Sequence, residues 1–401
     1  MSAALALTLA VAALAAVEVP AALVARLRQR WIYPRLVRPR LNPAWLPRCA
    51  IVIPTKGAGK NLAANLGAHL AHDYPDYEVL FAVEDEADAG LPIIREIIAR
   101  SDGRARLVVA GLAAKCSQQN FNMLAGVAAA RGAEVLAFCD NDVAPGRDWL
   151  RSLVLPLSDP AVAVATGYRW LVAAGGSAGE QVHTFMNMTM FAHFSLVAQL
   201  AGAGLWGGSF ALRRAEFETW RVAAVWGETI SDDMGLMAIL RERRRRTMLT
   251  ADVFLVTDDA LPTVRAATAW YARQLLNVKS FEPGTWAVAG VATVAGACLV
   301  VALPVAILAA GAGGSFLAWG GGAALFWWGI EALLVCLYSQ LGPTRNLSRM
   351  FLLLPLLRLT QAAAFLATIG RRHLDWAGVR YRFNGRGRVV EISRGVSSAE
   401  S

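Results

Sequence analysis

The chain has 401 residues, with 39 Lys and Arg against 30 Asp and Glu, a net charge of +9 at pH 7. Hydrophobic residues make up 56 % and charged residues 17 %, short of the roughly 25 % charge usual in soluble domains. That balance excludes a disordered chain, a coiled coil and an ordinary cytosolic enzyme, and predicts a membrane protein carrying one sizeable soluble domain. Five cysteines, none spaced as C-x-x-C, argue against a zinc site or a disulfide framework. They read as small buried apolar residues, and reduced thiols suit a cytosolic face.

Residues 3–25 are nearly all Ala, Leu and Val, with Glu18 the only charge. Such a run is long enough to cross a ~30 Å hydrocarbon core. Met1 and Ser2 carry no basic side chain, unlike the start of a cleaved signal peptide. Arg26, Arg28, Arg30, Arg35, Arg38 and Arg40 follow instead. The positive-inside rule therefore places the N-terminus outside and the chain beyond Arg26 in the cytoplasm. Residues 1–26 are thus predicted to form an N-terminal transmembrane helix.

Residues 45–280 form the predicted soluble domain. Short apolar runs at 50–53, 79–83, 106–109, 135–138 and 162–166 alternate with helical stretches, one of them around 118–131. Uninterrupted apolar runs suit a parallel sheet covered on both faces, and the alternation predicts a doubly wound α/β domain. In such sheets ligands bind beyond the carboxyl ends of the strands. Glu84-Asp85 follows the second run and Asp140-Asn141-Asp142 follows the fourth. Asp140 and Asp142 at a strand end can face one hard cation, and Mg²⁺ or Mn²⁺ takes oxygen ligands that it shares with phosphate.

Ser231-Asp232-Asp233 heads a predicted helix over 234–242. Ser231 suits an N-cap and acids suit a helix N-terminus; alternatively one of the two aspartates is a general base. The five histidines (69, 72, 183, 193 and 373) show no metal spacing. His183 and His193 fall in a Met-rich helical stretch, 181–199, expected to be core or a lining for an acceptor channel. Five arginines within 241–246 have no interleaved aromatics and read as a solvated helix end facing anionic lipid rather than nucleic acid.

From Trp286 to Ile330 there is no charged residue over 45 positions, enough for two spans with a turn near 311–315 or 320–322. Two transmembrane helices are therefore predicted within 286–341, with Glu331 inside the second as a functional candidate or a partner for a loop arginine. A third apolar segment, 350–370, contains Pro355, Arg358 and Gln361. It is predicted to be interfacial or re-entrant, because a true span would put the basic tail, 371–401, outside. Arg358 and Gln361 would then reach lipid headgroups.

Ala50-Ile-Val-Ile-Pro-Thr55, Glu84-Asp85, Cys139-Asp-Asn-Asp142 and Ser231-Asp-Asp233 occur in the order found in membrane-bound, inverting family-2 glycosyltransferases. The chain resembles these enzymes over 45–280, and most closely the branch of ceramide glucosyltransferases and bacterial hopanoid-associated glycosyltransferases. Asp375-Trp-Ala-Gly-Val-Arg-Tyr381 is similar to that branch's basic tail. The resemblance implies a GT-A fold, Rossmann-like with a mostly parallel sheet, flanked by N- and C-terminal transmembrane helices. It implies a single sugar moved with inversion from a UDP-sugar to a membrane lipid such as ceramide or a hopanoid. The enzyme would be multi-pass in a bacterial inner membrane, with its catalytic domain cytoplasmic. Asp233 would be the catalytic base, and Asp140 and Asp142 would hold Mg²⁺ or Mn²⁺ and the diphosphate. Thr55, Asp85, Lys115, Asp140, Gly208 and Arg273 would bind the nucleotide sugar, Gly208 within the glycine loop 206–210.

One motif departs from the family. The usual (Q/R)-x-x-R-W reads Arg273-Gln-Leu-Leu-Asn277, leaving Arg273 or Lys279 to stand in. The absent Trp argues against the alternative, a processive polysaccharide synthase. A non-catalytic scaffold with a degenerate transferase domain is the other reading.

Overall fold

The computed structural model of the chain describes residues 3–200, 204–309 and 315–395. Seven strands form the central sheet: β1 (Cys49–Pro54), β2 (Tyr77–Val83), β3 (Ala105–Val109), β4 (Val135–Cys139), β5 (Val162–Leu171), β6 (Ser209–Arg213) and β7 (Arg246–Thr257). Their order is β3-β2-β1-β4-β6-β5-β7. β6 runs antiparallel to β4 and β5, and the other neighbours are parallel. β1, β2 and β4 are buried almost throughout, as a sheet covered on both faces demands.

The helices of this domain are α1 (Ala3–Leu27), α2 (Leu62–Ala68), α3 (Leu91–Ala99), α4 (Gln118–Ala129), α5 (Trp149–Val154), α6 (Ala178–Leu200), α7 (Arg214–Thr219), α8 (Val222–Trp226), α9 (Asp232–Glu242) and α10 (Val264–Phe281). Beyond them come α11 (Pro283–Ala309), α12 (Ser315–Ser339), α13 (Leu347–Leu352) and α14 (Leu354–Leu366). Among the described residues, one stretch, Pro283–Val301, is long and apolar enough to cross a membrane. The first of the two turns proposed between α11 and α12, 311–315, lies almost wholly outside the described residues. The second, 320–322, is inside α12.

α1, α6, α12 and α14 share one core with the far edge of the sheet. Ala21, Ala22 and Ala25 meet Met186, Met188 and Phe191 of α6, Leu334 and Tyr338 of α12, Leu357 of α14 and Trp170 of β5. Three buried charges sit among these helices. Arg358 donates to Glu331 at 2.7 and 3.0 Å and to Glu18 at 2.6 Å. Arg358 is 3 % exposed and Gln361 1 %, so neither is free to reach a headgroup, contrary to expectation. The reason is charge pairing: two buried carboxylates require the guanidinium more than lipid does. Pro355 lies in the first turn of α14, where its missing N–H interrupts nothing.

The segment read as a basic tail is folded over most of its length. β8 (His373–Trp376), β9 (Val379–Phe383) and β10 (Val389–Arg394) form an antiparallel sheet. Leu374, Val379, Tyr381 and Phe383 bury Leu276 and Ile230 beneath it. The arginine run is also less free than expected. Arg241 pairs with Glu282, and Arg245 with Glu216 at 2.7 Å while its guanidinium lies over Trp220. Of the cysteines, 49, 116 and 139 are buried, but 298 and 336 are exposed on α11 and α12.

Candidate active site

A cavity of about 650 Å³ opens at the carboxyl ends of β1, β4 and β5. Its walls come from the residues after β1 and β4, the loop 206–208, the start of α9, one face of α10, and the β8–β9 hairpin. Thr55, Asp140, Asp142, Gly208, Asp233 and Arg273 all line it. Asp85 and Lys115 do not. Asp85 spends an oxygen on its own turn, accepting from Ala87 N–H at 2.7 Å, and Lys115 is exposed on the loop before α4. Gln118 and Asn122 of α4 line the cavity near that loop instead. Thr55 reaches the wall with its hydroxyl bonded back to Ile53 O. Lys279 faces away: its ammonium donates to Thr368, Ile369 and Arg371 carbonyls at the end of α14.

The glycine loop is held against the acids. Asp140 N–H donates to Gly208 O at 3.1 Å. A Cβ on Gly208 would come within 2.5 Å of Asp140 Oδ2 and 2.2 Å of the Trp206 ring, and one on Gly207 within 2.6 Å of Asp232 Oδ2. Only glycine allows that approach.

Asp232 and Asp233 are set apart by their partners. Asp233 Oδ1 accepts from the Ser231 hydroxyl and from Met234 N–H, and Oδ2 from Gly207 N–H at 3.2 Å. These three bonds oppose the upward push of burial, which still leaves its carboxyl above the ordinary range. A carboxylate offers about four lone-pair sites, so roughly one stays open. Asp232 is buried, its Oδ2 has no partner among the described residues, and burial with the charges of Asp233 and Asp140 pushes it well up. Both carboxyls are thus pushed up, Asp233 against three donors that favour its charged form and Asp232 with no partner on Oδ2.

Asp140 is pushed up to about 7, first by burial, then by Asp142 and Asp233. Arg169 opposes this; it donates to Asp142 at 2.6 Å and lies 3.7 Å from Asp259. Sequence reasoning missed Arg169, whose position inside β5 carries no motif. The carboxylates outnumber the nearby cations, and their donors are all oxygen, which fits Mg²⁺ or Mn²⁺. No group of three or more acidic, His or Cys side chains closes on one point among the described residues. Asp140 and Asp142 are the oxygen donors at the end of β4 that could hold such an ion, its remaining ligands then coming from phosphate and water, as is usual for Mg²⁺.

α10 presents Trp270, Arg273, Gln274 and Asn277 to the cavity, the i, i+3, i+4, i+7 face of one helix. Leu276 points the other way, into the core of the C-terminal sheet. That sheet contributes Leu374, Trp376, Ala377 and Tyr381 to the wall. In the Trp-Ala-Gly-Val turn, Ala377 and Gly378, at φ +49° and +75°, make a tight hairpin tip.

Fold and site together define a glycosyltransferase with GT-A-like architecture, mixed α/β around a mostly parallel sheet. The family model for glycosyl transferase family 21 matches residues 7–389, and the chain belongs to that family. It is 28 % identical over 148 residues to glycosyltransferase AglE of Haloferax volcanii, covering 36 % of this chain and spanning about half of that relative, 47 %. In fold it is similar to the mannosyltransferase PcManGT from Pyrobaculum calidifontis, solved in complex with GDP-Man and Mn²⁺. That likeness has a TM-score of 0.51 and 17 % identity, and covers 90 % of this chain and 98 % of the other. A glucosyl-3-phosphoglycerate synthase from Mycobacterium tuberculosis, with Mn²⁺, UDP-glucose and phosphoglyceric acid, matches at a TM-score of 0.38 and 14 % identity, over 58 % of this chain and 79 % of its own.

Proposed function

We propose that this chain moves one sugar, with inversion, from a UDP-sugar to a hydroxyl of a membrane lipid of the ceramide or hopanoid kind. The observation that carries the reading is the meeting, in one cavity, of Asp140 and Asp142 at the end of β4 with the cavity-facing Asp233 at the head of α9. Inversion in one displacement needs one base and a stabilised leaving diphosphate, and no protein nucleophile. Asp233, whose three donors favour its charged form, would take the proton of the acceptor hydroxyl. Asp140 and Asp142 would hold Mg²⁺ or Mn²⁺, which when bound offsets charge on the departing diphosphate. Arg169 and Arg273 add cations to the same cavity. PcManGT, which shares the fold, was solved with GDP-Man and Mn²⁺; its nucleotide differs from the uridine proposed here.

The lipid acceptor rests on the helical layer. α1, α11 and α12 are read as spans and α14 as a helix wedged at the interface, with exposed Val288, Val291, Leu325, Phe326 and Leu352 meeting acyl chains. The catalytic domain and the C-terminal sheet would then face the cytoplasm of a bacterial inner membrane.

The test uses purified protein in lipid nanodiscs, with labelled UDP- or GDP-sugars and extracted lipids. A new glycolipid and stoichiometric UDP release are expected, lost in EDTA and restored by Mn²⁺ or Mg²⁺. Full transfer in chelator would remove the metal, and GDP-sugar use alone would correct the donor. A cysteine at Ser397 in a Cys-free variant should react with an impermeant thiol reagent only after spheroplasts are opened; labelling in intact ones would reverse the topology.

A further inference from the structure

His183 on α6 lines the same cavity but is only 3 % exposed. Leu261 N–H donates to its Nδ1 at 3.0 Å. A ring nitrogen that accepts carries no proton, so the neutral imidazole keeps its proton on Nε2. Burial, then the guanidinium groups of Arg169 and Arg273, push the ring down to about 3, and it stays neutral throughout the physiological range. Trp270 of α10 stands edge-to-face against it, with centroids 4.4 Å apart, and fixes the ring plane. Nε2 is nevertheless buried with no acceptor among the described residues. Buried N–H groups are rarely left so.

The surroundings say what kind of acceptor suits this donor. From β5 comes Arg169, from α10 Arg273, and from the loop before α10 the carboxylate of Asp259, already beside Arg169 and Lys60. A hydroxyl oxygen would gain only the hydrogen bond. An anionic oxygen gains the hydrogen bond and the field of two guanidinium groups together.

We propose that His183 is a ligand-binding residue whose Nε2–H donates to a phosphoryl oxygen held on the α6–α10 wall of the cavity. The inference rests on the reading of the cavity as a sugar-nucleotide site. The phosphoryl group belongs either to the diphosphate of the donor or to the headgroup of a phosphorylated lipid, which would then replace the ceramide or hopanoid acceptor proposed above, and the direction of a fixed, neutral N–H selects its orientation where a lysine would not.

The experiment is a long-range ¹H–¹⁵N correlation on full-length protein in nanodiscs with ¹⁵N-labelled histidine. Without ligand, His183 should show a protonated Nε2 and a bare Nδ1. UDP with Mg²⁺ and dodecyl phosphate are then added separately, with uridine as the phosphate-free control. The Nε2–H resonance should move with one of the two phosphates and stay with uridine, and the probe that moves it identifies the source. His183→Phe keeps the ring volume without the donor and should weaken that probe's binding by about 10–100-fold, the range for a hydrogen bond to a charged group. His183→Gln restores an N–H at similar reach and should bind within about threefold of wild type. An Nε2–H signal that neither phosphate moves, or equal binding by the Phe and Gln variants, would overturn the inference. If wild-type protein binds no nucleotide at all, the sugar-nucleotide reading fails instead, and His183 then stands or falls on the dodecyl phosphate arm.

Discussion

Asp233 and Asp232 are neighbours in sequence with opposite surroundings. Both line the cavity, but Asp233 collects three donors while Asp232 is buried with an unpartnered oxygen. Asp233→Asn keeps the helix start polar and should still bind UDP, but steady-state transfer should fall by roughly 10²–10⁴-fold, the usual share of a general base. Loss in Asp232→Asn with a retained rate in Asp233→Asn would transfer the role to its neighbour. Ser231 tests the same carboxylate more gently. Its hydroxyl favours the charged form of Asp233, so Ser231→Ala should raise that carboxyl and move the acidic limb of kcat/KM to higher pH. Ser231 also caps α9 through Met234 N–H, so about 1 kcal/mol of stability should go as well. Ser231→Thr should restore the limb, which separates base tuning from mere loss of a cap.

At the scale of elements, the C-terminal sheet holds the approach to α9. Ile230 N–H donates to Gly387 O at 3.0 Å, and Val389 N–H to Glu228 O at 2.9 Å. Gln118 N–H donates to the Tyr381 hydroxyl at 3.2 Å, tying the sheet to α4 across the cavity. Gly387 sits at φ +63°, and a Cβ there would lie 2.2 Å from the Phe281 ring. Gly387→Val should therefore displace the backbone just before Ser231. A shift of about 1 Å near the base costs on the order of 10²-fold in rate, measured as kcat at saturating donor. Arg382→Ala, which removes only the exposed pair with Glu391, should leave the rate within about a factor of two, since such pairs contribute little. Equal effects of the two changes would show that the sheet is a passive appendage.

At the scale of the whole molecule, Arg358 binds three distant parts of the chain. Glu18 from α1, Glu331 from α12 and Arg358 from α14 meet in the bundle, each nearly fully buried. Arg358→Met strands two carboxylates, a change that costs about 3–5 kcal/mol when one partner of a buried pair is removed. The thermal midpoint in detergent, followed by tryptophan fluorescence, should fall clearly. The triple variant Glu18→Gln, Glu331→Gln, Arg358→Met removes the stranded charges and should recover most of the loss. A single variant as stable as wild type would mean that the triad does not hold the bundle.

Legibility followed the range over which each signal acts. The parallel strands at 50–53, 79–83, 135–138 and 162–166 were readable because a strand buried on both faces must be apolar without interruption. Asp140, Asp142 and the Asp232-Asp233 pair were readable because strand ends and helix starts are marked locally, by the end of an apolar run and by an N-cap serine; the choice of Asp233 within the pair rested on the family resemblance. β6 was hidden behind Gly207-Gly208, and β8–β10 behind a density of arginines that composition assigns to a solvated tail. Arg169 and Trp270 have no marking neighbours, while His183 falls in a helix expected to be core or channel lining and Trp376 in a stretch that reads as a basic tail. They reach the cavity only because β5, α10, α6 and a hairpin from the far end of the chain converge there.

By itself, then, the sequence determined the α/β class, the apolar helices and the acidic residues at the mouth of the sheet, since these depend on periodicity and local caps. Tertiary structure decided which carboxylate collects the donors, which cations stand beside the acids, and that Arg358 is a buried partner rather than a reach toward lipid. Charge and hydrogen-bond states are set by what lies within a few ångströms in space. For Glu18 and Arg358 those few ångströms join residues 340 positions apart in sequence.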